Sequence, residues 1–330
     1  MAGAVLPPRA GNVLAEAWFV DIGQGDCTLV VDNASSRGLL IDCHTKDVST
    51  VIRFIQDNQI SIDTAIVTHW DRDHYGGVAR IAEALPLRRV LYNHDTLFPT
   101  AGSAIGVRST LKLFLGLERL GTRLSEAKEG AAEDIGSVTW KLLAPSHSEV
   151  TRAVVAGNRN TASAVVQVSV GAANILVGGD AVADTWRRLL SSGLAHADIV
   201  RWSHHGADLA GDSDGQVRDH ILAQTAPDTV IISTGSSNRY GHPSKAVVEA
   251  ASVKARVMCT QVTPACFGHL SQSGQVSSEG RQTVARLPSP ACAGTVHVAI
   301  TESGVLVKPD HEQLRRRIQQ WPEPMCKVEP

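Results

Sequence analysis

The sequence predicts an α/β protein folded as a four-layer αββα sandwich, and two observations carry that reading. Strand-like runs followed by strand–helix alternation occur twice along the 330 residues, which gives two β-rich halves with helices on the outside. Four clusters of polar residues each terminate an apolar, strand-like run, and one end of the sheet is where α/β folds gather ligands and catalytic groups.

In the first half, strand-like runs at 17–21, 28–31 and 39–42 are separated by turn-rich segments at 23–26 and 33–38. Residues 48–59 carry Val51, Ile52 and Ile55 at helical spacing. A buried strand at 64–68 runs into a His/Asp cluster; Gly76 and Gly77 follow, then a helix to about residue 85. A strand at 89–92 and a helix at 107–120 close this half. The second half has strands at 138–143, 164–168 and 174–177, a helix at 183–191, a strand at 199–202, a helix at 216–224 and a strand at 229–232. Trp186 and Trp202 sit in apolar periodic contexts and read as core.

Residues 261–290 are rich in Ser, Gly, Gln and Pro and read as a long insert. A closing hairpin at 295–307 and a terminal helix at 310–320 follow; Arg315, Arg316 and Arg317 in that helix read as a solvated face. The expected organisation is an N-terminal extension at 1–14, one domain at 15–308 with its polar insert at about 260–293, and a helix and tail at 309–330.

A net charge of −2 supplies no global attraction to nucleic acid or anionic membrane, so either would be bound only locally. No apolar run is long enough to cross a bilayer. The first twelve residues, with Pro7 and Pro8, lack the basic head and apolar block of a signal peptide. The expectation is a cytoplasmic protein with no membrane association. Of the six cysteines, Cys27 and Cys43 lie in apolar runs and read as small core residues. Cys259, Cys266, His269 and Cys292 flank the insert and could form a structural zinc knot, with free thiols or one disulfide as the equal alternative. Cys326 reads as unrelated to them.

The chemistry concentrates at residues 69–74, where His69, Asp71, Asp73 and His74 follow an apolar strand. Residues two apart in extended chain face one side, so His69 and Asp71 can address one metal. Asp73 and His74, before a helix, can address a second, and imidazole and carboxylate at this density are what a dinuclear site needs. Gly179-Asp180, Ser203-His204-His205-Gly206 and Tyr240-Gly241-His242-Pro243 are the other strand-terminal clusters.

The pattern His69-x-Asp71-x-Asp73-His74 resembles the metal motif of the metallo-β-lactamase superfamily, with Asp71 where most members carry a second histidine. Together with residues 21–26, Asn160, Ser163, Gly179-Asp180, His204-His205-Gly206 and Asn238-Arg239-Tyr240-Gly241-His242-Pro243, it resembles the soluble domain of ComEC-type competence DNA-uptake proteins and their stand-alone relatives, over roughly residues 15–260. The resemblance implies two divalent metal ions: His69 and Asp71 on one, Asp73 and His74 on the other, Asp180 bridging. One of His204 and His205 completes a site, and the sequence leaves open which. Asp21, Asp26 and Asp42 would orient the ligands, and Asn160, Ser163 and His242 would face substrate. The sequence departs from the pattern at Asp42-Cys43-His44 and at Ala207, neither of which touches a ligand position. No histidine matches the one many members place before the bridging aspartate; His94 and His147 are the nearest and read as loop residues.

The implied mechanism is hydrolysis by a metal-held hydroxide, with Asp73 in the catalytic group and His242 as general acid or phosphate contact. Asp71, harder than imidazole, moves the preference from Zn²⁺ toward Mn²⁺ or Mg²⁺. A phosphodiesterase or nuclease acting on DNA or RNA is the leading expectation. A hydrolase of small phosphodiesters, esters or lactones, and a non-catalytic metal-binding protein, are the alternatives. Arg72, Arg88, Arg89, Arg239 and Lys245 are the local cations available to a polyanion.

Overall fold

The computed structural model of the chain describes residues 6–10, 13–97, 104–236, 240–266, 291–321 and 324–326. Asn238, Arg239 and His269 lie outside the described residues. The chain starts as an antiparallel meander of β1 (Ala15–Phe19), β2 (Thr28–Asp32) and β3 (Arg37–Ile41). It then changes to parallel crossovers. Helix α1 (Val48–Asp57) leads to β4 (Ser61–Ile66). The short α2 (Arg72–Tyr75) and α3 (Val78–Ala84) lead to β5 (Leu87–Tyr92), and α4 (Ala104–Arg119) leads to β6 (Arg123–Glu126).

The second half repeats this plan. β7 (Ala132–Ile135), β8 (Val138–Ala144), β9 (Val165–Val170) and β10 (Ala173–Val177) pair antiparallel, with α5 (His147–Ala156) between β8 and β9. Parallel strands β11 (Ile199–Arg201), β12 (Thr229–Ile232) and β13 (Arg256–Cys259) follow, preceded in turn by α6 (Ala183–Ser191), α7 (Gln216–Thr225) and α8 (Lys245–Ser252). The hairpin β14 (Val296–Thr301) and β15 (Gly304–Lys308) returns to the first sheet beside β1, and α9 (His311–Ile318) follows. The strand orders are β15-β14-β1-β2-β3-β4-β5-β6 and β13-β12-β11-β10-β9-β8-β7.

Side-chain alternation sets the layers. Ala15, Ala17 and Phe19 of β1 point between the sheets and share a core with Trp140 and Leu142 of β8 and Val166 and Val168 of β9. Trp18, one residue out of step, points the other way, into a cluster with Val51, Phe54 and Ile55 of α1 and Ile81 of α3. On the far side of the second sheet, Trp186 and Leu189 of α6, Ile221 of α7 and Val247 of α8 are buried against it. The molecule is thus a four-layer αββα sandwich. Trp186 and Trp202 are both core, as are Cys27 and Cys43. Periodicity missed β6 and β7, which end their sheets and carry Arg123, Glu126, Glu133 and Asp134. Charged edge strands hide the apolar pattern by which strands are found.

No helix among the described residues is long and apolar enough to cross a membrane. Arg88 and Arg89, two of the local cations, reach Glu133 instead of lying free. The Arg89 guanidinium also stands over the Trp140 ring, 5.4 Å from its centroid. Trp140 is 1% exposed and fills the space between the sheets, so Trp140→Ala is expected to lower the unfolding free energy by about 3–5 kcal/mol in a urea titration.

Candidate metal centre

The site forms where parallel strands of both sheets end. In the first sheet, β3 ends at Asp42 and β4 at Thr68-His69; in the second, β10 ends at Gly179-Asp180 and β11 at Ser203-His204-His205. The two edges are joined directly, since the Ala164 amide donates to the Thr68 carbonyl at 2.9 Å. Helix α2 is clamped by backbone bonds from its neighbours. The Asp26 amide donates to the Asp73 carbonyl (3.1 Å) and the Cys43 amide to the His74 carbonyl (2.6 Å). Gly25, at φ 141, is required here, because a Cβ on it would lie 2.8 Å from the Asp73 carbonyl oxygen.

Asp180 is the centre of the cluster. Its Oδ2 is 3.5 Å from His69 Nε2 and 3.7 Å from His204 Nε2, and its Oδ1 is 3.4 Å from His74 Nε2. His69 Nε2 is also 3.6 Å from Asp71 Oδ2, and His205 Nε2 is 3.2 Å from Asp73 Oδ2. Donor atoms about 2.1 Å from a shared tetrahedral cation stand about 3.4 Å apart, so these spacings suit a cation-binding set. His69 Nε2, His74 Nε2 and Asp180 Oδ1 are buried with no hydrogen-bond partner among the described residues, a costly state that a cation would relieve. Mutually close groupings are His69/His74/Asp180, Asp73/His74/His205 and Asp26/Asp42/His74. The residues present therefore fit divalent-cation binding, with His74 common to the groupings. The structure brings both histidines of the adjacent pair to the cluster, His205 beside Asp73 and His204 beside Asp180.

The surrounding groups fix these atoms. Asp42 Oδ2 is 2.8 Å from His74 Nδ1, while the Thr68 amide and hydroxyl donate to the Asp42 carboxylate. His205 Nδ1 is 3.1 Å from the Ser233 carbonyl, which leaves Nε2 for the cluster. Asp26 lies 3.5 Å from both His74 Nδ1 and His205 Nδ1 and is paired with the buried guanidinium of Arg201. Arg159 donates to Asp71 Oδ1 and to the Trp70 carbonyl, each at 3.1 Å. Arg201 and Arg159 escaped sequence reading. Arg201 left a usable signal, a lone cation inside an apolar run, which demands a buried counter-charge.

Two residues read as substrate-facing or orienting, Ser163 and Asp21, behave otherwise. Ser163 is fully buried; its hydroxyl accepts from the Asp180 amide at 2.9 Å and lies 3.5 Å from His69 Nδ1, so it positions ligands and cannot meet substrate. Asp21 accepts from Gln261 Nε2 (2.7 Å) and the Gly23 amide (3.3 Å), which makes it a brace for the loop at 21–25. Asn160 belongs to the one-turn helix Arg159–Ala162, its amide donating to Asn158 Oδ1 at 3.1 Å. His94 is mostly solvent-exposed beside Asp95, and His147 opens α5 on the surface. Cys326, set apart by the sequence reading, has its Sγ 3.6 Å from that of Cys259; the fold returns the tail to the end of β13, a contact no local spacing could reveal.

Above the cluster lies a cleft of about 350 Å³, floored by Asp71, Asp73, Asp180, His204 and His205. Gln24, Arg72, Tyr240 and His242 form its walls. Tyr240 stacks on His242 (ring centroids 5.9 Å apart), which in turn lies 5.4 Å from His204.

Charge in the cluster is strongly coupled. Burial pushes the Asp180 carboxyl up, but the four surrounding imidazoles outweigh it and hold it below its usual value. Asp71 is lowered to about 2, burial being overcome by His69 and Arg159. Asp73 is held far below the carboxylate range by His205 and His74 against its own burial. Burial works against a charged His74, yet Asp180 and Asp42 raise it to about 10. His242 is lowered to about 4, first by burial and then by His204 and His205.

A family model described as metallo-beta-lactamase superfamily matches residues 20–235. Recombination protein 2 of Haemophilus influenzae is 27% identical over 236 residues, 70% of this chain and 25% of that protein. ComE operon protein 3 of Bacillus subtilis is 23% identical over 254 residues, 71% of this chain and 30% of the relative. The chain thus spans between a quarter and a third of these two relatives. Among solved structures, Zn²⁺-bound PqqB of Methylobacterium extorquens aligns with a TM-score of 0.45 at 10% identity, covering 72% of this chain and 85% of that one. The metallo-beta-lactamase fold protein YhfI of Bacillus subtilis gives 0.43 at 13% identity, covering 66% and 85%.

In metal-free protein His74 keeps its proton up to about pH 10. Cation binding at pH 8 is therefore expected to release about one proton from this residue, read by calorimetry in buffers of different ionisation enthalpy. The stabilisation from charged His74 is complete below its ordinary 6.5 and lost as pH rises through about 10. The metal-free protein should accordingly melt at lower temperature at pH 10 than at pH 6.5. Asp42→Asn removes the acceptor that orients His74, and is expected to weaken metal affinity about 10–100-fold in a competition titration with a chromogenic chelator.

Proposed function

Because the chain belongs to the metallo-beta-lactamase superfamily, we propose that it is a dinuclear metallohydrolase of phosphodiesters, with DNA or RNA as substrate. The observation that carries this reading is the division of one buried carboxylate, Asp180, between two sets of imidazoles at 3.4–3.7 Å. His69, Asp71, Asp180 and His204 would hold one ion; Asp73, His74, His205 and Asp180 would hold the other. Zn²⁺ and Mn²⁺ both suit the set, and Mg²⁺ is favoured by its three carboxylates. When bound, such ions supply Lewis acidity and a lowered pKa for water.

The chain's own residues supply orientation and charge. Asp42 keeps the His74 Nδ1 proton, so that Nε2 faces the cleft. Arg159 holds Asp71, and Ser163 holds the backbone of Asp180. Arg72, exposed on the wall of the cleft, offers a cation to a substrate phosphate. His242 is neutral at pH 7 with its value near 4. It would then offer one N–H to a phosphate oxygen, which favours the phosphate-contact role over proton donation from an imidazolium.

Nucleic acid as substrate is supported by the similarity to a relative named for recombination and to one named for the ComE operon. The carboxylate-rich ligand set points the same way. A shorter match, 27% identity over 85 residues, joins the chain to a hydroxyacylglutathione hydrolase of Vibrio campbellii, and it favours small-ester hydrolysis as the second reading. Incubating the purified chain with single- and double-stranded DNA and RNA in Mn²⁺, Mg²⁺ and Zn²⁺ tests both. Metal-dependent cleavage is expected, with kcat/KM lowered at least about 10³-fold in Asp180→Ala and Asp73→Ala and about 10²-fold in His242→Ala. Turnover of a model diester or thioester with intact polymer would instead support the small-substrate reading.

A further inference from the structure

We propose that Cys259, Cys266, Cys292 and Cys326 form a tetrathiolate structural zinc site, independent of the His/Asp cleft. The four thiols come from separate parts of the chain: the end of β13, a single turn at 264–266, the approach to β14, and the tail beyond α9. All four are buried. Cys259 and Cys326, 67 residues apart, place their sulfurs 3.6 Å from each other. Cys292 lies within interaction range of Cys326, and Cys266 within electrostatic range of Cys259 and Cys326.

A bonded disulfide has sulfurs about 2.05 Å apart. Sulfurs about 2.3 Å from one tetrahedral zinc stand about 3.8 Å apart, near the spacing of Cys259 and Cys326. The backbone is arranged for convergence. Ala293 donates to the Cys259 carbonyl at 2.8 Å, Cys292 and Gly294 donate to the Thr260 carbonyl at 3.1 and 2.9 Å, and Cys266 donates to Thr263 at 2.9 Å. These bonds hold three of the four ligand segments side by side without a regular sheet. Three of the thiols sit in irregular chain, where apolar packing alone orders little and a metal commonly substitutes for it. A divalent cation would replace the four thiol protons, leaving a net negative site that the Arg317 guanidinium, donating to the Ala293 carbonyl, partly offsets.

The test uses the full chain. Zinc analysis of Asp180→Ala, whose cleft is disabled, is expected to find about one zinc per chain that survives dialysis against a weak chelator. Replacement by Co²⁺ should give the intense visible bands and near-ultraviolet charge transfer of a thiolate site, which imidazole and carboxylate ligands do not produce. Cys292→Ser and Cys326→Ser should each retain less than about a tenth of that zinc. X-ray absorption on zinc-loaded wild type covers the case in which a variant does not fold, and a sulfur-only component is expected there. A Zn edge fitted by nitrogen and oxygen alone, or a Cys259–Cys326 disulfide in a non-reducing peptide map, would overturn the proposal.

Discussion

One buried carboxylate has to satisfy imidazoles delivered by both sheets, and the geometry of the site follows from that constraint. Asp180 stands at the end of β10, His69 and His74 arrive from the first sheet, and His204 and His205 from β11. An isolated carboxylate at this depth would be strongly destabilised. Its surroundings make burial tolerable only while the two sheet edges keep their relative positions. Gly179 shows how little slack there is: at φ +50, a Cβ would lie 2.5 Å from the Ser163 hydroxyl that holds the Asp180 amide.

Backbone strain is concentrated at the same place. Asp42, His204 and His205 take φ values of 56, 51 and 54, the left-handed region that side chains with a Cβ avoid. Such conformations cost on the order of 1 kcal/mol or more each and persist where neighbouring structure enforces them. Here the Asp42 amide is fixed to the Ile66 carbonyl and the His204 amide to the Gly179 carbonyl. Behind the ligands, Arg201 balances Asp26 within the interior. The negative charge of the cluster is therefore compensated from below by the protein and is left to be compensated from above by whatever the cleft receives.

The positions of the candidate site were legible in the sequence because its polar clusters each follow an apolar run, a pattern that both secondary structure and chemistry impose. His69, His74, Asp180 and the pair at 204–205 were visible on that ground alone. The choice within the pair was not, since it depends on a turn in which both residues adopt left-handed backbone. Ser163 looked like a substrate contact and is a buried brace; nothing local distinguishes the two. Arg159 and Arg201 act across long sequence separations and so carried at most an indirect trace. The edge strands β6 and β7 escaped because their charged residues break the apolar alternation, and Cys326 because its partners are set by the path of the tail over the core.

The separation along the chain between Asp73 and His205, 132 residues, gives assembly a direction in time. A nascent polypeptide displays the cluster at 69–74 long before Asp180 and the paired histidines leave the ribosome. An ion met during that interval would find only half of the cluster. Selection of any cation the cluster holds would thus be deferred until the second half has docked, with the finished sandwich, rather than the motif, deciding which ion stays.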